Sequence, residues 1–107
     1  MRYYVSNAFS LNMLERKSQI VQFLPCSVEQ ARLELEGCEV VSAIGHADTA
    51  AVVSATLGVS LPANRISIKL MPGDGLLVAQ LVGPRLPEGA TTLPEGASIE
   101  FWIVSVQ

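Results

Sequence analysis

Leu76-Leu77-Val78-Ala79-Gln80-Leu81-Val82 is a nearly continuous run of apolar residues in the second half of the chain. A strand that is buried on both faces has this composition, whereas a strand with one wet face alternates apolar and polar residues. The run is preceded by a turn sequence, Pro72-Gly73-Asp74-Gly75. It therefore predicts the central strand of a sheet.

Other segments supply neighbours for this strand because they are rich in β-branched and aromatic residues or alternate in polarity. Val40–Ile44 stays open between a short strand and an extended lead-in to the next element. The segments that predict strands are Arg2–Val5, Ile20–Leu24 (ended by Pro25), Ile66–Leu70 with one wet face, and Ile99–Val106.

Two segments have helical signals, with a shorter helical turn predicted within Leu11–Lys17. Ser27 and Gln30 are spaced as a capping box, and Gly37 is placed to end the helix that follows. The second helix is predicted over His46–Leu57, is rich in small residues suited to close packing, and ends at Gly58. The sum is an α/β fold in which a small mixed sheet of about five strands is flanked by helices.

The segment Gly83–Gly96 contains the related phrases Leu86-Pro87-Glu88-Gly89 and Leu93-Pro94-Glu95-Gly96. It is too short to be a repeat architecture and is predicted to be an ordered loop, with room for one helical turn. Long loops in small domains often carry function. This loop is therefore a candidate part of a site.

Composition limits the classes of function. The 107 residues fit a single domain over 1–107, and 50% hydrophobic with 16% charged residues predicts a compact core. We expect neither a membrane span nor a signal peptide, and hence a cytoplasmic protein, in the host cytoplasm if a virus encodes it. A net charge of −3 argues against binding DNA or long RNA but leaves room for a small anionic ligand held by a few arginines. Cys26 and Cys38 are too few for a disulfide framework and are expected to be reduced.

The residue types also narrow the chemistry. The histidine, the cysteines and the acidic residues show no metal-ligand spacing, no phosphate-binding loop is present, and no nucleophile elbow surrounds a serine. General acid–base work by His46, the one histidine of the chain, is what remains. At the start of a helix the dipole lowers a histidine pKa, and a bound phosphate raises it.

Plainer interpretations of the same residues stay open. His46 could be a helix-capping or surface histidine, and Arg65 and Arg85 could be solvated arginines after turns. Asn7 and Ser10 could be ordinary loop caps. Position alone does not decide between these interpretations and a site.

Four phrases in the same order resemble the viral ring nuclease family, the anti-CRISPR proteins that act against type III CRISPR immunity. Together they span nearly the whole chain, which makes the resemblance far more specific than any one phrase. The phrases are Asn7–Met13, Ser42–His46, Asn64–Leu70 and Pro84–Gly89.

The resemblance implies a homodimer that binds cyclic tetra-adenylate and cleaves it to linear di-adenylates with 2′,3′-cyclic phosphate ends, without a metal or other cofactor. His46 would be the general acid, Arg85 would hold the scissile phosphate, and Glu88 would position the histidine or a ribose hydroxyl. Arg65 would bind a phosphate or base of the ring. Asn7, Ser10 and Gln80 would line the pocket, and the loop Gly83–Gly96 would close over the ring.

Two other functions remain as alternatives. A module that sequesters the cyclic oligoadenylate without turnover would need the pocket but not His46. A phage factor that binds a host protein would need neither, and the acidic net charge and the small-residue helix suit it.

Overall fold

The central strand of the fold is the apolar run, which forms β4 (Gly75–Val82) in a computed structural model that describes residues 2–107. The sheet has five strands in the order β2-β5-β4-β1-β3. The other elements are β1 (Arg2–Ser6), a 3-10 turn (Leu11–Met13), β2 (Val21–Cys26), α1 (Val28–Leu35), β3 (Glu39–Ser42), α2 (Ala47–Leu57) and β5 (Ser98–Val106).

The sheet is mixed. β1 runs parallel to both β3 and β4, with Val5 opposite Ser42 on one side and Leu77 on the other. β5 is antiparallel to β4 and to the edge strand β2. The carboxyl ends of β1, β3 and β4 therefore meet at one edge, where β5 begins.

Each face of the sheet has its own apolar cluster. Both helices pack on one face, where the cluster includes Val5, Leu77 and Phe101 from the sheet with Leu35 of α1 and Val53 of α2. The other face is covered by loop segments instead of helices. Its cluster contains Ile68, Leu70, Leu76, Val78 and Val104, with Phe9, Met13 and Trp102 packed against it. The mixed α/β fold predicted from the sequence is thus confirmed, with the helices on a single face.

The start of α1 follows the predicted capping box. Ser27 Oγ accepts a hydrogen bond from the Gln30 N–H at 3.1 Å, and Gln30 Oε1 accepts one from the Ser27 N–H at 2.8 Å. Glu34, on the same helix, accepts a hydrogen bond from the hydroxyl of buried Tyr3 at 3.0 Å. Burial, and next this hydrogen bond, raise the pKa of the Tyr3 phenol.

Two strand predictions were wrong in detail. Ile66–Leu70 forms no strand, although Ile68 and Leu70 are buried and their neighbours exposed. Alternation of apolar and polar residues indicates only that one side of an extended segment is buried. Here the segment packs on the face of the sheet that loops cover, and no strand pairs with it. Pro25 does not end β2 but lies inside it, opposite Trp102. A proline is tolerated there because β2 is an edge strand, whose outer N–H groups need no partner.

The Gly83–Gly96 loop has no helical turn and joins β4 to β5 as a wide hairpin connection. Within residues 2–107, no helix is long and apolar enough to cross a membrane. Cys26 and Cys38 are free and partly buried, and burial raises the pKa of the Cys26 thiol.

Candidate functional site

The edge at which the parallel strands end carries most of the predicted site residues. Asn7 follows β1, His46 follows β3 by a short connection, and Arg85 follows β4. In open α/β sheets this edge is the usual place for ligands, because loops from several strands meet there. The topology thus gathers side chains that are far apart in the sequence.

A cleft of about 720 Å³ lies between the start of α2 and the loop after β4, and we call it the edge cleft. His46, Arg85 and Glu88 all line it. Leu81 forms part of its apolar wall, and Asp48, in the first turn of α2, adds a second carboxylate. The three side chains predicted to be catalytic therefore share one cleft in a single chain.

His46 is held at its place by the backbone that precedes it. The Ala43 N–H donates to the carbonyl of Val5 at 2.8 Å, which extends the pairing of β3 with β1. Asn64 then holds this connection twice, since its backbone N–H donates to Ile44 O and its side-chain amide to Ser42 O, both at 2.7 Å. The helix start is therefore fixed before the chain reaches the histidine.

The imidazole of His46 is exposed and is not used by the helix. His46 is the N-cap residue of α2, with extended backbone, and its side chain makes no capping hydrogen bond. Its carbonyl accepts the first helical hydrogen bond, from Ala50 at 3.0 Å. The structure therefore does not support the helix-capping interpretation, and it leaves an exposed histidine at the rim of the cleft.

Arg65 lies beside this segment and not among the residues that line the edge cleft. A β-carbon placed on Gly45 would be only 2.9 Å from Arg65 Cγ and 3.3 Å from its Nε. Gly45 thus lets the arginine side chain pass close to the backbone next to His46. Within residues 2–107 the ion pairs are Arg2–Glu39 and Lys17–Glu15, so neither Arg65 nor Arg85 is in an ion pair.

The loop after β4 is built from two similar turns. In each, the N–H that follows the glycine donates to a proline carbonyl, from Ala90 to Pro87 and from Ala97 to Pro94, both at 3.1 Å. Gly89 and Gly96 have φ values of +78° and +82°, a region in which glycine meets no steric cost. The related phrases in the sequence thus encode related turns.

A hydrogen bond joins the first of these turns to α2. The backbone N–H of Gly89 donates to Asp48 Oδ2 at 3.1 Å. Sequence reasoning did not single out Asp48. The signal that could have found it is an acidic residue in the first helical turn, two residues after the predicted histidine. The loop that forms one side of the edge cleft is therefore hydrogen-bonded to α2, which forms the other side.

Asn7 and Gln80 line a different cleft, of about 430 Å³, which we call the aromatic cleft. Its walls include Phe9, Phe23 and Trp102, and the first two rings pack edge to face with their centres 5.1 Å apart. Gln80 and Leu81 are consecutive strand residues, so their side chains lie on opposite faces of β4. A single chain therefore divides the predicted site residues between two faces at the same edge.

Ser10 lines neither of these clefts. Its hydroxyl accepts a hydrogen bond from the Asn12 N–H at 3.2 Å and caps the 3-10 turn, as the loop-cap interpretation predicts. In residues 2–107, no group of three or more His, Cys, Asp and Glu side chains is placed to hold a metal ion.

Comparisons with known proteins place the chain in a family. It is 34% identical over 86 residues to "Uncharacterized protein 26" of Sulfolobus islandicus filamentous virus (isolate Iceland/Hveragerdi), covering 80% of this chain and 72% of that protein. Its structure is similar to that of B116 of Sulfolobus turreted icosahedral virus, with a TM-score of 0.80, 28% identity, and coverage of 98% and 99% of the two chains. The family model described as STIV B116-like matches residues 3–102. The chain therefore belongs to the STIV B116-like family, a family of viral proteins.

Proposed function

We propose that the chain is a ring nuclease that binds cyclic tetra-adenylate between two copies of itself and cleaves it to linear di-adenylates. The observation that carries this proposal is the edge cleft, in which His46, Arg85 and Glu88 lie together although they are distant in sequence. These are the side chains for which the resemblance to viral ring nucleases implies catalytic roles.

The proposed reaction needs no nucleophile from the protein, because the 2′-hydroxyl of a substrate ribose lies next to the phosphate. The 2′-oxygen forms a bond to phosphorus, the bond from phosphorus to the 5′-oxygen breaks, and a 2′,3′-cyclic phosphate results. The proton of the 2′-hydroxyl passes to Glu88 or to water, and the imidazolium of His46 gives a proton to the leaving 5′-oxygen. No water is consumed in this transesterification.

Arg85 and the start of α2 would stabilise the negative charge of the phosphate. A guanidinium beside the phosphate stabilises the negative charge that builds on its oxygens in the transition state. The free N–H groups in the first turn of a helix favour an anion at the same place. Because Arg85 is in no ion pair within residues 2–107, it need not release a carboxylate before it binds phosphate.

The aromatic cleft offers a place for an adenine base. Aromatic rings stack on bases, and the amides of Asn7 and Gln80 can pair with the N6 and N7 atoms of adenine. We assign these two residues to base binding, and Arg65 to a phosphate of the ring. Since the two clefts lie on opposite faces of β4, the second copy of the chain is needed to complete a site for one ring.

Symmetry agrees with a dimer. A ring of four identical nucleotides contains a two-fold axis, so a two-fold dimer can present the same groups to opposite phosphates. Each chain would bring one His46, and two cuts would give two dinucleotides. Destruction of this messenger in the host cytoplasm would end type III CRISPR signalling.

The test is incubation of the purified protein with radiolabelled cyclic tetra-adenylate in the presence of a chelator. We expect di-adenylates with 2′,3′-cyclic phosphate ends from the wild type and intact ring from His46→Ala, with the ring bound by both. Equal cleavage by His46→Ala would overturn the mechanism. Binding without cleavage by the wild type would instead establish sequestration, and absence of binding would favour a protein-interaction role.

A further inference from the structure

The hydrogen bond between Asp48 and Gly89 connects the start of α2 to the loop after β4. Asp48 belongs to α2, and Gly89 belongs to the loop after β4, 41 residues further along the chain. Within residues 2–107 this is the one hydrogen bond between α2 and the loop. It therefore fixes one point of the loop, Gly89, against the helix start.

The geometry of the turn explains why Gly89 is the donor. In the turn Pro87–Ala90, the N–H of Ala90 is used by the Pro87 carbonyl, whereas the N–H of Gly89 is free to point outward. The acceptor is a carboxylate oxygen, but the contact is 3.1 Å long and exposed to solvent, so its strength is close to that of a bond between neutral groups. Glu88 directly precedes the bonded residue, so its backbone is fixed by the same contact.

The second turn of the loop serves as an internal comparison. Pro94–Ala97 has the same proline acceptor and the same positive φ at its glycine. Its glycine N–H has no carboxylate partner on α2 in the part of the chain described, residues 2–107. Only the turn that carries Glu88 is tied to the helix of His46, and this difference points to a role in the site.

We propose that Asp48 is a positioning residue for the ring-cleavage reaction, a role that rests on the function proposed above. It holds the turn at Gly89 so that Glu88 and Arg85 stay beside His46 before the substrate arrives. Groups that are already in place lower the barrier because less ordering is needed at the transition state. Asp48 acts through its acceptor oxygen and not through its charge.

The first experiment does not depend on cleavage of the ring. Hydrogen exchange of backbone amides in the free protein is compared for wild type, Asp48→Asn and Asp48→Ala. Loss of this hydrogen bond is expected to speed exchange at Gly89 by about threefold to tenfold in Asp48→Ala. Asp48→Asn keeps an acceptor oxygen and should retain most of the protection. Unchanged exchange at Gly89 in Asp48→Ala would show that the hydrogen bond between Asp48 and Gly89 does not hold the turn.

The second experiment measures ring cleavage. In Asp48→Ala, kcat should fall by about tenfold with KM nearly unchanged, because the substrate still binds but its reacting groups are less well aligned. Asp48→Asn should recover most of kcat with an unshifted pH profile. A shifted pH profile or no recovery in Asp48→Asn would show that the charge acts directly, and would overturn the positioning role.

Asp74→Ala is the matched control, because Asp74 Oδ2 accepts from the backbone N–H of Met71 at 3.1 Å, at the opposite end of β4. This variant should leave both Gly89 exchange and kcat unchanged. If the wild type cleaves no ring, the proposed function fails while the exchange result stands. If the wild type cleaves the ring and Asp48→Ala cleaves it equally well, only the positioning role fails.

Discussion

Replacing Gly45 by alanine is expected to weaken binding of cyclic tetra-adenylate while leaving the fold intact. The added methyl carbon would lie 2.9 Å from Arg65 Cγ, and ordinary van der Waals contact begins at 3.4 Å. The arginine side chain must therefore retreat by about 0.5 Å or take another rotamer. Because Cγ is near the backbone, either change moves the guanidinium further than it moves Cγ.

The expected cost to stability is small. Gly45 is not among the glycines with positive φ, so its backbone suits alanine. Alanine lowers the entropy of the unfolded chain and stabilises by about 0.4–1 kcal/mol. A displaced rotamer costs about 0.5–1.5 kcal/mol, so the free energy of unfolding should change by less than about 1 kcal/mol.

The expected cost to binding is larger. Under the proposed assignment of Arg65 to a phosphate of the ring, a displaced guanidinium loses a charge-assisted hydrogen bond, which is worth about 1.5–3 kcal/mol. Kd should therefore rise by about tenfold to a hundredfold. Urea unfolding and titration calorimetry measure the two quantities on the same samples.

A double-mutant cycle with Arg65→Ala decides whether the effect passes through the arginine. In the Arg65→Ala background, Gly45→Ala should have almost no further effect on Kd, because the displaced group is gone. Equal losses in both backgrounds would refute the reasoning, since the methyl group would then act on the ligand or on His46 directly.

Three further results are expected. Leu77→Ala, at a fully buried position, should lower the free energy of unfolding by about 2–5 kcal/mol in urea, whereas Leu33→Ala, at a position 67% exposed, should change it by less than about 0.5 kcal/mol; equal effects would contradict the assigned core. Because the pKa of Tyr3 is higher in the folded state than in the unfolded chain, the phenol contributes stability below pH 10, and this contribution is lost as the pH rises above about 10. The loss should be absent in Tyr3→Phe; an identical pH dependence of the two unfolding free energies would contradict this prediction. Hybrid dimers of His46→Ala with Arg85→Ala should be inactive, because both residues line one cleft of the same chain and neither chain keeps a complete set; recovery of activity on mixing would show that they act across the dimer.

The elements that follow from local physical rules were predicted well. The apolar run became the central strand, and the Ser27–Gln30 capping box formed both of its hydrogen bonds. Gly58 ends α2 in the left-handed region, as its position indicates. The two wrong strand predictions depend on which strands lie beside a segment. The alternation in Ile66–Leu70 could not show that no strand pairs with it, and the presence of Pro25 could not show that β2 is an edge strand.

The predictions for the candidate site also succeeded where local sequence sufficed and failed where the three-dimensional arrangement decided. Residue types and the family resemblance pointed to His46, Arg85 and Glu88, and these share the edge cleft. Sequence could not show that Gln80 lies on the face opposite the edge cleft, because this depends on which face of the sheet the helices cover. It also missed Asp48, whose partner Gly89 is 41 residues away and is brought near only by the course of the loop.

The connection between β4 and β5 closes on itself at its base, where a β-carbon on Gly83 would lie 2.5 Å from the carbonyl oxygen of Gly96. Its two ends therefore lie next to each other, beside the pairing of Val82 with Ser98. Each doubling in the length of such a loop costs only about 0.6 kcal/mol in closure entropy. Residues added at the tip of this loop should therefore cost little stability, and they would change the wall of the edge cleft.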